Sequence, residues 1–316
     1  MRFRAPAAAR RPLLAPAVAG ILALAVAACS GSAASTPAVS DDAPVASEAP
    51  VASMAAEAGP SVATVQVDQA IWFAGFKITF GEASAELADG RGGTVTIEAL
   101  FENTGSDDAA FDGTLNVASN GANALQGFGM DIPTVPGGQT GKGTLAFDVE
   151  DGFTFDDAVL TVGRAGNQQA IVPLTATAGA ARTLEPVVFP LAGSGQAGDL
   201  QLDLIGAEVR ADQPWSHGQM EEGTLVLTVT YDASFESDFA GGFAFAAENV
   251  ALRLPDGTTV APIADGQSQS IELIGPNSTV KDAFSRFEIE DPAAGDYALL
   301  VRSFESAEDE IPFTIE

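Results

Sequence analysis

A thiol and an imidazole are each present once among 316 residues, as Cys29 and His217, beside 43 acidic side chains and three lysines, Lys77, Lys142 and Lys281. This supply limits the chemistry available. A lone cysteine makes no internal disulfide, and an unpaired thiol in an exported chain is a liability. His217 would be the sole imidazole base. It lies in "DQPWSHGQMEEG" next to Ser216, and neighbours in sequence tend to point apart. No Gly-x-Ser-x-Gly turn accompanies them, which argues against a serine hydrolase. A structural zinc site needs about four nitrogen or sulfur ligands, so zinc is set aside. A glycosidase-like carboxylate pair is a minor alternative, because 43 acids guarantee chance pairs. Calcium takes oxygen ligands and stays a candidate cofactor. Glu150, Asp151, Asp156 and Asp157 flank one turn, and Glu288, Glu290, Asp291 and Asp296 hold the matching place further on. Asp151, Asp156, Asp157, Asp291 and Asp296 are the calcium candidates, set against a simply solvated acidic edge.

Ser278-Thr-Val-Lys281 matches the Ser-x-x-Lys motif of penicillin-binding proteins, but it enters an expected strand and lacks the supporting motifs. No catalytic residue is assigned. Two tryptophans remain as contact residues. Trp72, in "IWFAGF", precedes a strong strand and is expected to close the bottom of a core. Trp215, among Pro, Ser, His and Gly, is expected on the surface; with His217 it forms the candidate binding pair. His217 itself is expected as a solvated loop residue.

The cysteine sits where an apolar run ends. Arg2, Arg4, Arg10 and Arg11 precede the stretch from Leu13 to Ala28, which has the order of a secretory signal and is short for a membrane span. Val26-Ala27-Ala28-Cys29 resembles the lipobox of bacterial lipoproteins. The resemblance implies cleavage after Ala28, a covalent lipid on Cys29, and anchoring to the extracytoplasmic face of a bacterial membrane. Arg10-Arg11 also fits a twin-arginine export signal, so the export route stays open. Removal of residues 1–28 leaves ten basic side chains against 43 acidic ones, a balance that repels nucleic acid.

Residues 29–61 are rich in Ala, Pro and Ser, lack aromatics, and repeat Ala-Pro-Val-Ala-Ser. Such a segment buries too little apolar surface to offset its ordering entropy, and a disordered tether is expected. From Val62 the pattern becomes short alternating runs such as "FKITF", "GTVTIEALF" and "GTLAFDV", bounded by Gly, Asn, Pro and Asp. These are the marks of an all-β sandwich. The second half repeats the first: "FKITFGEASAEL" from Phe76 with "LQLDLIGAEVRA" from Leu200, and "GGTVTIEALFENTG" from Gly92 with the run from Glu222. "VPGGQTGKGTLAFDVEDG" from Val135 likewise matches the run from Ile274. The expectation is two tandem sandwich domains, 62–174 and 186–316, joined by a linker at 175–185.

A long strand ending in Asn103-Thr104-Gly105, with a Pro-Gly-Gly turn leading into "GTLAFDV", resembles the immunoglobulin-like extracellular modules of unknown function found in bacterial lipoproteins. That resemblance implies immunoglobulin-like sandwiches outside a membrane and implies no activity. The function expected is noncatalytic binding, adhesion or an accessory role in an envelope complex, with the membrane and another envelope protein as partners. The alternative is a solute- or calcium-binding surface lipoprotein.

Overall fold

The computed structural model describes residues 61–88, 92–118, 125–126, 128–303 and 307–316. Ala28, Cys29, the signal segment and the tether up to residue 60 lie outside the described residues. The rest falls within one compact unit, Ala56–Glu316. It is all-β, built from several antiparallel sheets, and its helical content among the described residues is a single 3-10 turn at Ala247–Asn249.

Alternation of apolar and polar residues sets the faces of each strand, and bulges reset the parity where needed. Along Phe76–Ala88 the side chains of Phe76, Ile78 and Phe80 point inward, followed by Ala83 and Ala85. The switch from even to odd positions falls at the register shift between Phe80 and Ala83, where one extra residue turns every later side chain over. The Leu200–Arg210 strand does the same: Leu200, Leu202 and Leu204 are buried, then Ala207 and Val209, with its shift between Leu204 and Gly206.

The first half places five strands in the order Ser61–Phe73, Phe76–Ala88, Gly92–Asn103, Thr140–Val149, Phe128–Met130. Its second sheet runs Ala170–Pro173, Val159–Val162, Leu115–Ala118, Leu125–Gln126. A core containing Ile71, Phe76, Ile97, Phe101, Phe147 and Leu160 draws on both sheets. The second half repeats this order. Val187–Pro190 and Ser194–Ala197 both pair with Leu200–Arg210, followed by Thr224–Phe235 and Ser278–Glu290. The other sheet runs Glu308–Ile315, Gly295–Arg302, Val250–Arg253, Thr259–Val260. Its own core contains Leu202, Leu227, Tyr231, Phe287 and Leu299.

Strand pairing moves one block of the sequence match by two residues. Ile97 pairs with Ala83 and Leu145, and Val229 with Ala207 and Ser285, so Gly92–Asn103 corresponds to Thr224–Phe235. A slip of two preserves the inward face, and alternation alone cannot detect it. Asn103 therefore has Phe235 as its counterpart. In the first half Asn103 is buried, donates Nδ2 to the carbonyls of Asp107 at 2.7 Å and Val135 at 2.8 Å, and accepts the Gly105 amide at 2.9 Å. It holds together the turn that ends its strand.

Trp72 does not close the core. Ile71 and Phe73 take the inward positions, and Trp72 faces outward beneath the Lys77 ammonium, 5.1 Å from its ring. The 175–185 segment is laid along the first half: the Trp72 amide donates to the Thr183 carbonyl, and Ile171 and Arg182 exchange backbone bonds, each at 2.9 Å.

Candidate functional site

The segment Asp212–Gln219 forms a tight hairpin, Asp212–Gln213 pairing with Gly218–Gln219. It is set against the first half. The Gly75 amide donates to Asp212 Oδ2 at 2.8 Å and the Ala74 amide to Gln219 Oε1 at 3.0 Å. The His217 ring lies 5.5 Å from that of Phe76. Gly105 makes room for the hairpin, since a Cβ there would stand 2.5 Å from the Pro214 carbonyl oxygen. His217 is thus not a solvated loop residue. Packing against Phe76 and the Gly75 turn buries its Nδ1, which has no hydrogen-bond partner among the described residues.

A second cluster fastens the same two halves. The Gln168 amide donates to the Met220 carbonyl at 2.9 Å, and Gln168 Nε2 donates to the Thr224 carbonyl at 3.0 Å and to Asp291 Oδ2 at 3.1 Å. Arg182 donates to Gln168 Oε1 and lies 3.6 Å from Asp291. The buried Gln168 side chain, bonded on both sides in this way, fastens the two halves to each other.

Trp215, at the tip of the hairpin, stands in a cleft of about 530 Å³. The floor is the outer face of the second half's larger sheet, bearing Glu208, Arg210, Thr228, Phe284 and Arg286. Pro214 and Trp215 form one wall, Gly266, Gln267 and Gln269 another, and Thr104, Gly105 and Ser106 of the first half close it. The Arg286 guanidinium lies between two rings, 3.8 Å from the centre of Trp215 and 4.2 Å from that of Phe284. Trp215 is fixed from its other end, its indole N–H donating to Asp265 Oδ2 at 2.7 Å. Stacking of a guanidinium on aromatic faces at these distances is attractive and orients the planar fork.

The two arginines differ in their surroundings. Arg210 is nearly buried, its side chain 10% exposed, and donates Nε to Asp212 Oδ1 at 2.8 Å and Nη1 to Glu208 Oε1 at 3.0 Å. Burial opposes its charge more than any other single influence, yet Asp212 and Glu208 together hold its pKa above the usual value. Its Nη2 is buried without a partner. Arg286 donates Nη1 to the Gln267 carbonyl, and its Nε is buried and unpartnered. Burial lowers its pKa; the more distant charges of Asp265 and Glu208 offset that only in part, and Arg210 adds to it. Arg286 has no carboxylate within ion-pairing distance among the described residues.

The sequence singled out Trp215 and His217 together, and the structure separates them: Trp215 lines the cleft and His217 lies on the seam between the halves. The acidic candidates do not converge. Asp291 accepts from Gln168, Asp296 accepts from Thr314 at 2.8 Å, and the Asp157 carboxylate accepts from Thr154 at 3.3 Å. Asp156 offers its backbone carbonyl to Thr177 at 2.6 Å, and Asp151 is exposed in its turn. Among the described residues no group of three or more His, Cys, Asp or Glu side chains is placed to hold a metal ion. Ser278 opens a strand and Lys281 pairs with Asp232 at 3.1 Å, so Ser-x-x-Lys builds no helical site.

Arg286, Phe284, Arg210 and Glu208 were not singled out from sequence. The available signal was Phe284-x-Arg286 on the outward parity of a strand whose counterpart carries Thr144-x-Ala146. No family model and no curated protein matches the chain. Among solved structures it is similar to a conserved domain protein from Bacillus anthracis, with 12% identity, coverage of 80% of this chain and 90% of that one, and a TM-score of 0.24.

Proposed function

We propose that this protein is a lipid-anchored, noncatalytic binding protein of the extracytoplasmic face of a bacterial membrane. In this proposal its two halves are tandem immunoglobulin-like sandwiches, and contact is made through the cleft at Trp215. The observation that carries it is the construction of that cleft: a half-exposed, doubly anchored tryptophan and a stacked arginine in a concavity walled by both halves. Fixed aromatic and arginine side chains are the usual anchors of binding surfaces, because little side-chain entropy remains to be lost on contact. The lipobox and the Ala/Pro/Ser-rich segment after Cys29 supply attachment and reach; a flexible coil of about 30 residues spans about 30 Å.

The experiment is affinity capture with the tagged full chain from detergent-solubilised envelope, at low and physiological salt, comparing the wild type with Trp215→Ala. The expected result is a discrete partner retained at both salts and lost in the variant. Identical recoveries from the two would remove the cleft as the contact. Solute capture is the second reading, favoured by the concavity of the site; it predicts a ligand-dependent rise in melting temperature.

A further inference from the structure

The ladders of the two halves allow an internal comparison. In the first half, Ser84, Thr96 and Ala146 lie side by side across three strands, with the Ser84 and Thr96 hydroxyls bonded to each other at 2.8 Å. The corresponding row in the second half is Glu208, Thr228 and Arg286. The same sheet order is therefore built once with a small neutral row and once with a charged one. The charged row coincides with the hairpin that brings Trp215 over it.

Folding alone does not account for that row. A guanidinium moved out of water is costly unless paired and fully hydrogen-bonded. Among the described residues Arg286 has no carboxylate partner, and its Nε and Arg210 Nη2 are buried donors without a hydrogen bond. Arg210 is matched by Glu208 and Asp212, which leaves Arg286 as the guanidinium beneath the cleft with no carboxylate of its own among the described residues. The neutral lining from Thr104, Ser106, Thr228, Gln267 and Gln269 can supply hydroxyl and amide contacts around it. Repulsion from the more distant acidic surface falls off within about 8 Å at physiological salt, so the groups that line the cleft decide what it meets.

We infer that the cleft recognises a carboxylate: Arg286, stacked close to the rings of Trp215 and Phe284, presents its guanidinium to the carboxylate of a small polar organic acid, whose remaining polar groups meet the hydroxyl and amide walls. The planar fork of arginine matches the two oxygens of a carboxylate. This rests on the cleft being the binding site proposed above. The two can fail separately, because a partner captured through Trp215 would leave that proposal standing even if no acid binds.

The test is a titration of the full chain in detergent with D-glucuronate, neutral D-glucose and inorganic sulfate, followed by the Trp215 indole N–H resonance. Trp72→Phe identifies that signal by leaving Trp215 as the sole indole. A saturable shift with glucuronate and none with glucose is expected, lost in Arg286→Gln and weakened in Arg286→Lys. Thr228→Glu guards against loss through misfolding: it places a carboxylate on the cross-strand neighbour of Arg286 and should keep the melting temperature while abolishing the glucuronate response. An equal response to sulfate overturns the carboxylate preference. Silence towards all three probes, or a full response in Thr228→Glu, overturns the inference.

Discussion

Asp212 joins the two halves at a single carboxylate: Oδ2 accepts the Gly75 amide at 2.8 Å while Oδ1 accepts Arg210 Nε at the same distance. Its side chain is 1% exposed, so both bonds form away from water. Asp212→Ala leaves the Gly75 amide unpaired and removes the nearer counter-charge of Arg210. A cost of about 3–5 kcal/mol is expected from breaking a buried pair on one side. Chemical denaturation should show the loss, together with separation of one transition into two as the halves uncouple. A single transition at the wild-type midpoint would show that Asp212 does not couple them.

Gly75 is the other side of the same contact. Its φ of +78° is one that side chains rarely adopt, and a Cβ would meet His217 Nδ1 at 2.8 Å and Pro214 Cα at 3.1 Å. Gly75→Ala is expected to destabilise by about 1–3 kcal/mol, through backbone strain and crowding. His217→Ala in the same chain should recover only the crowding part, because the strain is local to Gly75. A double-mutant cycle on the two positions measures the share, and additive effects would show that the two residues do not press on each other.

The strands and their inward faces were legible because alternation and turn residues are local signals. Phe101, Phe147 and Phe287 sit in cores, as short alternating runs require. The slip of two along Thr224–Phe235 was hidden because it leaves every inward residue inward. Trp72 faces outward because it lies within a strand rather than ahead of one, and Ile71 and Phe73 take the inward positions on either side of it. The cleft was legible only at Trp215. Arg286 meets Trp215 across 71 positions of chain, through a hairpin docked on the other half, and no local pattern reports that approach.

Calcium should leave the folded protein unchanged. Asp291 and Asp296 already accept hydrogen bonds from Gln168 and Thr314, and the described acidic residues do not gather around one point. Dense oxygen coordination, six ligands or more, is what stabilises a bound calcium ion. The expected outcome is one melting temperature in millimolar calcium and in chelator. A rise with calcium, abolished by Asp151→Asn or Asp156→Asn, would place a site at that turn.

Acid should weaken the bulge at Asp232 before it affects the cores. Asp232 accepts the Asp282 amide and the Lys281 ammonium, each at 3.1 Å, across the irregular register between Tyr231 and Ala233. The backbone bond from Asp282 first, and Lys281 next, lower its pKa. Asp309 is lowered in the same way by the amides of Gln196 and Glu310. A carboxylate whose folded pKa is depressed contributes stability above its unfolded value and loses it as pH falls through the folded one. Stability is therefore expected to drop below about pH 4, and Asp232→Asn should flatten that limb. The Lys281 pKa is raised by Asp232, so its contribution is present below the ordinary ammonium value and lost as pH rises through the folded value. Carboxylate resonances followed by NMR check the order: Asp232 and Asp309 titrating with the ordinary carboxylates would remove the effect.

Cys29 carries the expectation about location. Its thiol is the single one of the chain, placed after Ala27-Ala28 at the end of an apolar run. A single acyl chain binds a bilayer only marginally, and stable anchoring needs about two. A cysteine that carries a diacylglyceryl group holds the protein on the membrane, and replacing its sulfur removes the point of attachment. Cys29→Ala should move the protein from the membrane fraction to the soluble fraction without changing its melting temperature, because the described sheets begin at Ser61. Metabolic labelling with palmitate should mark the wild type and not the variant. Membrane retention of an unlabelled Cys29→Ala protein would instead assign the anchor to an uncleaved apolar segment.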